Sequence, residues 1–164
     1  MTSFAPRALT LALFEPDIPQ NAGTMLRMCA CLGVDAAIIG PAGFATGDRH
    51  LRRAGMDYLD HVKLARHASF AEFEQWRAAQ PRPRRLVLLS TKASDCYFDA
   101  RFESGDILMV GRESAGVPAE VATCADLAVA IPMRDGMRSL NVAVAAAMVL
   151  GEALRQTRMG PPPN

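Results

Sequence analysis

The stretch that decides the fold is Ile131–Leu150, which reads IPMRDGMRSLNVAVAAAMVL. An apolar strand pattern ends at Pro132, a loop with two arginines, an aspartate and a glycine follows, and an apolar helix pattern begins after Asn141. A helix that is apolar on every side is expected to be buried. Its first turn carries unpaired N–H groups and the positive end of the helix dipole. We therefore expect a site for a polar ligand at the edge of the core.

Length and composition predict one soluble domain. The chain has 164 residues and is 50% hydrophobic, which is enough for a single core. Its formal charge is +1, so any contact with nucleic acid must come from local patches. No apolar run reaches the ~20 residues of a membrane span, and the first residues lack a signal-peptide pattern. These features predict a cytoplasmic protein without a membrane partner.

The metal-ligating residue types show no metal pattern. The cysteines have the spacing of neither a zinc site nor a disulfide framework; they are Cys29, Cys31, Cys96 and Cys124. Reduced thiols packed as small hydrophobic side chains are the expectation. The three histidines have no ligand spacing either, so we expect no metal.

Apolar runs alternate with helical patterns along the chain. The predicted strands are Ala8–Phe14, Val34–Ile39, Arg85–Leu89, Asp106–Val110 and Leu127–Ile131. The predicted helices are Asn21–Leu32, Arg49–Ala54, Ser69–Gln80, Pro118–Cys124 and Leu140–Gln156. Asn21 and Ser69 are expected to cap their helices, and Gly33 to end the first one. Continuously apolar strands separated by helices predict an α/β fold with a parallel sheet covered on both faces. Ligands of such sheets bind at the carboxyl ends of the strands.

The first polar motif is Pro19-x-Asn21-x-Gly23-x-x-x-Arg27, at the start of a predicted helix. Helical spacing places Arg27 away from the apolar stripe of that helix, where it can face a cavity or a partner. On spacing alone, a solvated arginine also fits this position.

The second motif is Gly111-x-Glu113-x-x-Gly116-x-Pro118, directly after a predicted strand. Its glycines allow a sharp turn and a close approach of the backbone to a ligand. The motif matches neither a P-loop nor a dinucleotide fingerprint. Taken alone, it also fits a plain strand-to-helix turn in which Glu113 is an ordinary surface carboxylate.

Two basic clusters are candidates for phosphate binding, which requires such clusters. The first contains Arg49, His50, Arg52 and Arg53, and the second contains Arg82, Arg84 and Arg85. The second cluster abuts two prolines and equally fits solvated charge.

A third motif, Ile131-Pro132-Met133-x-x-x-x-Arg138-Ser139-x-Asn141, follows the other two in the chain. The order and spacing of the three motifs resemble the SPOUT superfamily of RNA methyltransferases, and within it the small single-domain TrmL type. The segments at 51–58 and 89–92 agree further. The resemblance spans residues 9–157, which predicts a single domain over 1–157 and a flexible tail over 158–164. The chain departs from the pattern at Ala115, where relatives often have Arg, and at Ala143, where a polar residue is common.

The resemblance implies a fold, an activity and partners. The fold is α/β, with a mostly parallel sheet, helices on both faces and a C-terminal trefoil knot. The implied activity is S-adenosylmethionine-dependent 2′-O-methylation of the wobble nucleotide of tRNA. The implied partners are the anticodon stem-loop of tRNA and a second copy of the chain, which completes each active site.

The resemblance also assigns residues by position. The implied catalytic residues are Arg27, Asn141, Asn21 and Glu113. The implied contacts of the methyl donor are Leu89, Gly111, Ile131, Ser139 and Met133. The implied RNA contacts are Arg138, Arg49, Arg52 and Arg53. We favour a charged Arg27 that orients the ribose and stabilises the developing alkoxide, the alternative being an arginine partly deprotonated by a cationic site.

Three other functions stay open at this stage. The first is methylation of another tRNA position or of ribosomal RNA. The second is a non-catalytic RNA-binding protein on the same fold, which the intact motif residues argue against. The third is an α/β nucleotide-binding enzyme for a small molecule, which would be expected to carry a conventional phosphate loop.

Overall fold

One parallel sheet of seven strands organises the protein in the computed structural model, which describes residues 9–53 and 57–158. The strands are β1 (Thr10–Phe14), β2 (Asp35–Ile39), β3 (Leu64–His67), β4 (Leu86–Leu89), β5 (Asp95–Cys96), β6 (Ile107–Val110) and β7 (Leu127–Ala130). Their order across the sheet is β3-β2-β1-β6-β4-β7-β5, and each neighbouring pair is parallel. The predicted α/β fold with a parallel sheet is confirmed.

Helices cover both faces of this sheet, as predicted. They are α1 (Pro19–Leu32), α2 (Asp48–Arg53), α3 (Phe70–Ala78), α4 (Ala119–Ala122) and α5 (Val142–Arg158), with a 3₁₀ turn at Leu59–His61. On one face, Leu26 of α1 and Val149 of α5 join a core cluster with the strands. On the other face, Phe73 of α3 and Val121 of α4 join a second cluster. Because helices cover both faces of the sheet, its central strands are apolar on both sides.

The two edge strands, β3 and β5, were not predicted from the sequence. β3 has the sequence LARH and is only partly buried, and β5 is two residues long. An edge strand has a neighbour on one side only and packs less apolar surface. Neither strand therefore has the continuous apolar run by which the central strands were recognised.

The expectation that α5 is buried on every side is wrong. Ala146, Val149 and Leu150 are buried, whereas the side chains of Val144 and Met148 are 50% and 38% exposed. In the first half of α5 the exposed face is as apolar as the buried one, so composition alone does not distinguish the two faces there. The helix runs to residue 158, one residue past the predicted domain end. The predicted tail over 159–164 and the predicted helix end at residue 54 lie outside the described residues.

Two predicted helix boundaries are confirmed and one is wrong. The Ser69 hydroxyl accepts a hydrogen bond from the backbone N–H of Glu72 at 3.2 Å, which caps α3. Gly33 ends α1 in the left-handed conformation, with φ of 64°. Asn21, however, does not cap α1, because Ile18 occupies that position and the helix already begins at the proline after it. The Asn21 side chain is consequently available for contacts outside its own helix.

All four cysteines are free thiols, and one of them fits the predicted packing fully. Cys29 is buried, and burial raises the pKa of its thiol to about 12. Cys96 is half-buried against the same core, whereas Cys31 and Cys124 are exposed. The expectation of packed thiols therefore fails for Cys31 and Cys124.

Candidate active site

Three neighbouring strands end together at one edge of the sheet, as ligand binding in a parallel sheet requires. In the register of β4, Leu89 lies opposite Val110 of β6 and Val129 of β7. Leu89, Gly111 and Ile131, which the sequence placed at the methyl donor, therefore lie close together at these strand ends. Leu89 and Ile131 are half-buried.

The other two residues expected at the donor lie in the loop between β7 and α5. Met133 is half-buried, and Ser139 is exposed shortly before the helix. The loop has one turn, in which Met137 N–H donates to the Arg134 carbonyl at 3.2 Å. Most of the loop is exposed, so its backbone is accessible beside the strand ends.

The loop after β6 closes on itself as a tight hairpin. Arg112 N–H donates to the Gly116 carbonyl at 3.1 Å, and Gly116 N–H donates back at 2.8 Å. A Cβ atom on Gly111 would lie 2.6 Å from the carbonyl carbon of Gly116. The sequence analysis expected Gly111 to make room for a ligand. The structure gives a different reason, because a side chain there would collide with the backbone of the same loop.

Asp17 and Glu113 bind this hairpin to the segment between β1 and α1. Asp17 N–H donates to Glu113 Oε2, and Glu113 N–H donates to Asp17 Oδ1, both at 3.3 Å. The Ser114 hydroxyl donates to Asp17 Oδ2. An ion pair between Arg112 and Glu15, at 3.2 Å, makes a second link between the same two segments.

The contact between the two carboxyl groups separates their pKa values. Burial and the hydrogen bond with Asp17 raise the pKa of Glu113 above its ordinary value. Hydrogen bonds from Glu113 and Ser114 lower the pKa of Asp17. Two carboxylates in contact disfavour double ionisation. Glu113 is therefore the first of the pair to take up a proton.

A line of side-chain hydrogen bonds continues from Glu113 to the start of α5. Asn21 Nδ2 donates to Glu113 Oε1 at 3.4 Å, and Asn141 Nδ2 donates to Asn21 Oδ1 at 3.0 Å. Asn141 Oδ1 accepts from the backbone N–H groups of Ala143 and Val144, at 2.9 and 3.3 Å. Asn141 is thus the cap of α5. The three sequence motifs meet in this line.

Arg27 lies on the exposed side of α1, as the sequence predicted. Its guanidinium carbon is 4.7 Å from the centre of the Tyr58 ring, a cation–π distance. The hydrogen bonds that join Glu113, Asn21 and Asn141 do not include it. Of the four expected catalytic residues, the structure brings three together and places Arg27 apart on Tyr58.

Two residues of the site were missed by the sequence reasoning, Asp17 and Tyr58. Asp17 stands between Pro16 and Pro19, just before the first motif, and was assigned no role from the sequence. Tyr58 ends the segment 51–58, in which the resemblance assigned a role to Arg52 and Arg53 but none to Tyr58. The signal for Asp17 was an acidic side chain held in an extended loop beside a motif, but its partner is 96 residues away.

The helix α2 presents part of the predicted RNA surface. Arg49, His50 and Arg53 are exposed. Arg52 forms an ion pair with Asp60, with atoms 2.6 Å apart, and this hydrogen bond lowers the pKa of Asp60. Part of the Arg52 charge is thereby neutralised within the protein.

Two of the three arginines in the second basic cluster, Arg84 and Arg85, have structural contacts, whereas Arg82 is exposed. Arg84 is buried and donates to the Gly105 carbonyl at 2.7 Å and to the Thr10 hydroxyl at 2.8 Å. Arg85 forms an ion pair with the buried Asp106 at 2.7 Å. Because the guanidinium groups of Arg84 and Arg85 are engaged within the protein, these two residues do not support phosphate binding by the cluster. Arg138, the remaining predicted RNA contact, is exposed in the loop before α5.

Residues 9–53 and 57–158 contain neither a cluster of metal ligands nor a membrane-spanning helix. No three side chains of His, Cys, Asp or Glu come together there as a metal site. No helix in those ranges has the length and apolar character needed to cross a membrane.

The chain belongs to the SpoU rRNA methylase family, whose profile matches residues 8–151. The resemblance to RNA methyltransferases drawn from the three motifs is confirmed, and the chain is a methyltransferase. It is 68% identical over 146 residues to the tRNA (cytidine(34)-2′-O)-methyltransferase of Beijerinckia indica subsp. indica. The aligned region covers 89% of this chain and 90% of that protein.

Solved structures agree with this membership. One is described as giving insight into 2-OH methylation of C/U34 on tRNA. It is 43% identical to this chain with a TM-score of 0.83, and the match covers 93% of this chain and 97% of the other. Another is the SpoU methyltransferase AviRb from Streptomyces viridochromogenes in complex with the cofactor AdoMet. It is 29% identical with a TM-score of 0.83 and covers 93% of this chain. This chain spans 59% of AviRb.

Proposed function

We propose that the protein transfers a methyl group from S-adenosylmethionine to the ribose 2′-oxygen of nucleotide 34, the wobble nucleotide of tRNA. The observation that carries the proposal is the hydrogen-bonded line from Asn141 through Asn21 to Glu113, which unites the three motifs beside three strand ends. The 68% identity to a cytidine-34 enzyme supports this nucleotide as the target. We also propose a cytoplasmic location, where tRNA is the available substrate.

The residues at the strand ends fit the proposed methyl donor. Leu89, Ile131 and Met133 provide half-buried apolar side chains for the adenosine and the aliphatic part of the methionine chain. The exposed loop before α5 adds backbone groups and the Ser139 hydroxyl for the polar parts. When bound, S-adenosylmethionine supplies a methyl group already activated on a positively charged sulfur. The protein's own task is to align the ribose oxygen, which in favourable cases contributes ~7–11 kcal/mol.

Arg27 is our candidate for the group that acts on the ribose hydroxyl. An arginine side chain stays protonated at neutral pH and is a poor base there. Held on the Tyr58 ring, the charged guanidinium orients the ribose and stabilises the negative charge that develops on its oxygen. The hydrogen bonds of Asn141 and Asn21 fix the start of α5 relative to the hairpin after β6.

We further propose a homodimer built on an apolar stripe of α5. Val144 and Met148 of α5 are 50% and 38% exposed and lie one helical turn apart, and Leu140, in the loop just before the helix, is 40% exposed. α5 packs against α1, whose flanking Ile18 and Leu32 are also exposed. A contiguous exposed apolar patch marks an interface, and two-fold dimers are its commonest form. In the dimer, Arg27 of one subunit serves the donor site of the other.

The proposed trefoil knot is compatible with the strand order. β6 and β7 lie on either side of β4 in the sheet. The segment that joins β6 to β7 must therefore cross over β4. The support for threading through a loop is the resemblance to the SPOUT superfamily, in which this segment is knotted.

One experiment tests the reaction and the nucleotide together. The protein is incubated with total tRNA and isotope-labelled S-adenosylmethionine, and the labelled nucleotide is located by mass spectrometry. We expect label on the ribose of nucleotide 34. Label at another tRNA position, or in ribosomal RNA supplied in parallel, would overturn the substrate assignment. RNA binding without transfer would overturn the enzymatic assignment.

The dimer is tested by sedimentation at micromolar concentration. The parent should sediment as a dimer, and Val144→Glu combined with Met148→Glu should sediment as an inactive monomer. Ala71→Glu, on the exposed side of α3, is the control and should remain dimeric. A fully active monomeric parent contradicts the proposal.

A further inference from the structure

A cleft outside the candidate active site opens at the carboxyl ends of β2 and β3. Its volume is about 420 Å³, within the usual range of small-ligand sites. Ile38, Pro41 and Ala42 supply apolar lining, and Thr46 and Arg66 supply polar lining. The cleft is thus large enough for one flat heterocyclic ring system with polar edges.

Hydrogen bonds hold the walls of this cleft in place. Arg66 Nε donates to the Thr46 carbonyl at 3.0 Å, which fixes the loop that follows β2. Gly40 N–H donates to the His67 carbonyl at 2.8 Å, and Gly43 N–H donates to the Pro16 carbonyl at 2.9 Å. The last of these bonds ties the loop to the segment that carries the first motif. The cleft is therefore a preformed part of the fold.

The charges around the cleft favour a nucleobase over a phosphate. Arg66 provides a planar cation, on which bases stack readily. Glu72 also lines the cleft, and a carboxylate there repels a phosphate but accepts a hydrogen bond from the amino group of a base. His67 packs against the rings of Phe73 and Trp76, and burial lowers its pKa, so that wall is uncharged at neutral pH.

The position of the cleft suits the RNA that reaches the candidate active site. Both lie at the edge of the sheet where the parallel strands end. β2 is two strands from β6, three from β4 and four from β7, which at about 4.8 Å per strand places the cleft about 10 to 19 Å from the donor residues. The basic helix α2 follows the cleft loop directly in the chain. A strand of RNA bound along α2 would therefore pass over the cleft.

We propose that this cleft binds one unstacked base of the substrate RNA, a few nucleotides from the ribose that is methylated. The inference rests on the proposed function, because it presumes that RNA reaches the candidate active site. Single-stranded loops are recognised in this manner, with bases turned out of the stack and read on their edges. Stacking of one such base strengthens binding by about 5- to 150-fold.

The test fills the cleft without touching the candidate active site. Ala42→Phe places a ring in the cleft, and Ala71→Phe, on the exposed side of α3 outside the cleft, is the matched control. Methylation of an anticodon stem-loop RNA is measured under saturating S-adenosylmethionine. We expect Ala42→Phe to raise the KM for RNA about tenfold, the equivalent of one lost stacked base. We expect kcat within about twofold of the parent, and the control to behave like the parent.

A second arm identifies the base. Abasic nucleotides are placed one at a time on either side of the methylated position. One of them should raise KM for the parent but have no further effect on Ala42→Phe, because the two changes remove the same contact. If Ala42→Phe lowers the melting temperature strongly, Arg66→Lys replaces it, since an ammonium cannot stack as a guanidinium plane does.

The outcomes separate the two proposals. An active parent with unchanged KM in Ala42→Phe, or in Arg66→Lys where that variant replaces it, overturns the cleft and leaves the proposed function standing. A parent that methylates no RNA overturns the proposed function itself.

Discussion

The Asn141 side chain donates a hydrogen bond to the Asn21 side chain at 3.0 Å, although 120 residues separate them in the chain. Asn21 lies in the first turn of α1, and Asn141 caps α5. The bond therefore fixes the starts of two helices relative to each other. Through Asn21, it also connects the start of α5 to Glu113 in the hairpin after β6.

Variants of Asn141 should separate its two roles. Asn141→Asp keeps an oxygen acceptor for the first N–H groups of α5, and a negative charge there is favourable. It loses the amide that donates to Asn21. We expect nearly unchanged thermal stability and a large loss of methyl transfer. Asn141→Ala should lose activity as well and, in addition, about 1 kcal/mol of unfolding free energy from the missing cap. Denaturant unfolding and single-turnover assays measure both effects, and an active Asn141→Asp refutes the role of the amide.

Replacing Arg27 should impair chemistry and spare donor binding. Its guanidinium lies over the Tyr58 ring, and Arg27 is not among the residues proposed to hold the methyl donor. We expect Arg27→Ala to reduce turnover by at least about 10²-fold, as is usual for loss of a charge-stabilising donor. Arg27→Lys should also be poor, because an ammonium lacks the planar fork. Calorimetry with S-adenosylmethionine is the control. A loss of donor affinity as large as the loss of turnover would show that the role assigned to Arg27 is wrong.

The hairpin after β6 should not tolerate a side chain at Gly111. In Gly111→Ala, the new Cβ would lie 2.6 Å from the Gly116 backbone, so the hairpin must open. We expect weaker S-adenosylmethionine binding and a lower melting temperature. Gly47→Ala is a suitable control, since the nearest atom to its Cβ is 3.6 Å away. Normal donor affinity in Gly111→Val would contradict the prediction.

The Asp17–Glu113 pair predicts a specific dependence of stability on pH. The raised pKa of Glu113 means that the folded protein binds its proton more tightly than the unfolded chain does. Above the ordinary value of 4.5, the contribution of Glu113 to stability therefore falls as the pH rises through its folded pKa. Glu113→Gln removes this loss. Its unfolding free energy relative to the parent should increase from about pH 4 to about pH 7.

Asp17 should show the opposite sign. Its pKa is lowered in the folded state, so its contribution is present above the ordinary value of 3.8 and disappears as the pH falls. Asp17→Asn should therefore be destabilised at neutral pH and approach the parent in acid. Urea unfolding across this range measures both variants. Parallel curves for parent and variants would show that the two carboxyl groups do not interact.

The arginines of α2 should contribute unequally to RNA binding. Arg49 and Arg53 are exposed, whereas Arg52 is paired with Asp60. Each lost phosphate contact lowers the slope of log affinity against log salt by about one unit. We expect Arg49→Ala with Arg53→Ala to lower it by about two units and Arg52→Ala by less than one. Filter binding at several salt concentrations measures the slopes, with S-adenosylmethionine affinity unchanged as the control. Identical slopes in parent and double variant would mean that α2 makes no phosphate contact.

The central part of the fold is readable from local sequence. The five strands in the interior of the sheet are continuously apolar, because each is buried on both faces, and turn residues such as Gly33 end the helices between them. The order and spacing of the motifs around Arg27, Glu113 and Asn141 likewise sufficed to identify the methyltransferase family. These properties depend on residues within a few positions of one another, which a linear pattern retains.

Contacts between distant segments were decided only by the tertiary structure. Asn21 resembled a helix cap and is instead the link between Glu113 and Asn141. Arg84 resembled a surface cation and is buried between strands. The sequence of α5 is apolar on both sides, and only the placement of the sheet determines which side is covered. The physical reason is the same in each case: burial and hydrogen-bond partners depend on what packs against a residue, and that neighbour is often about a hundred positions away in the chain.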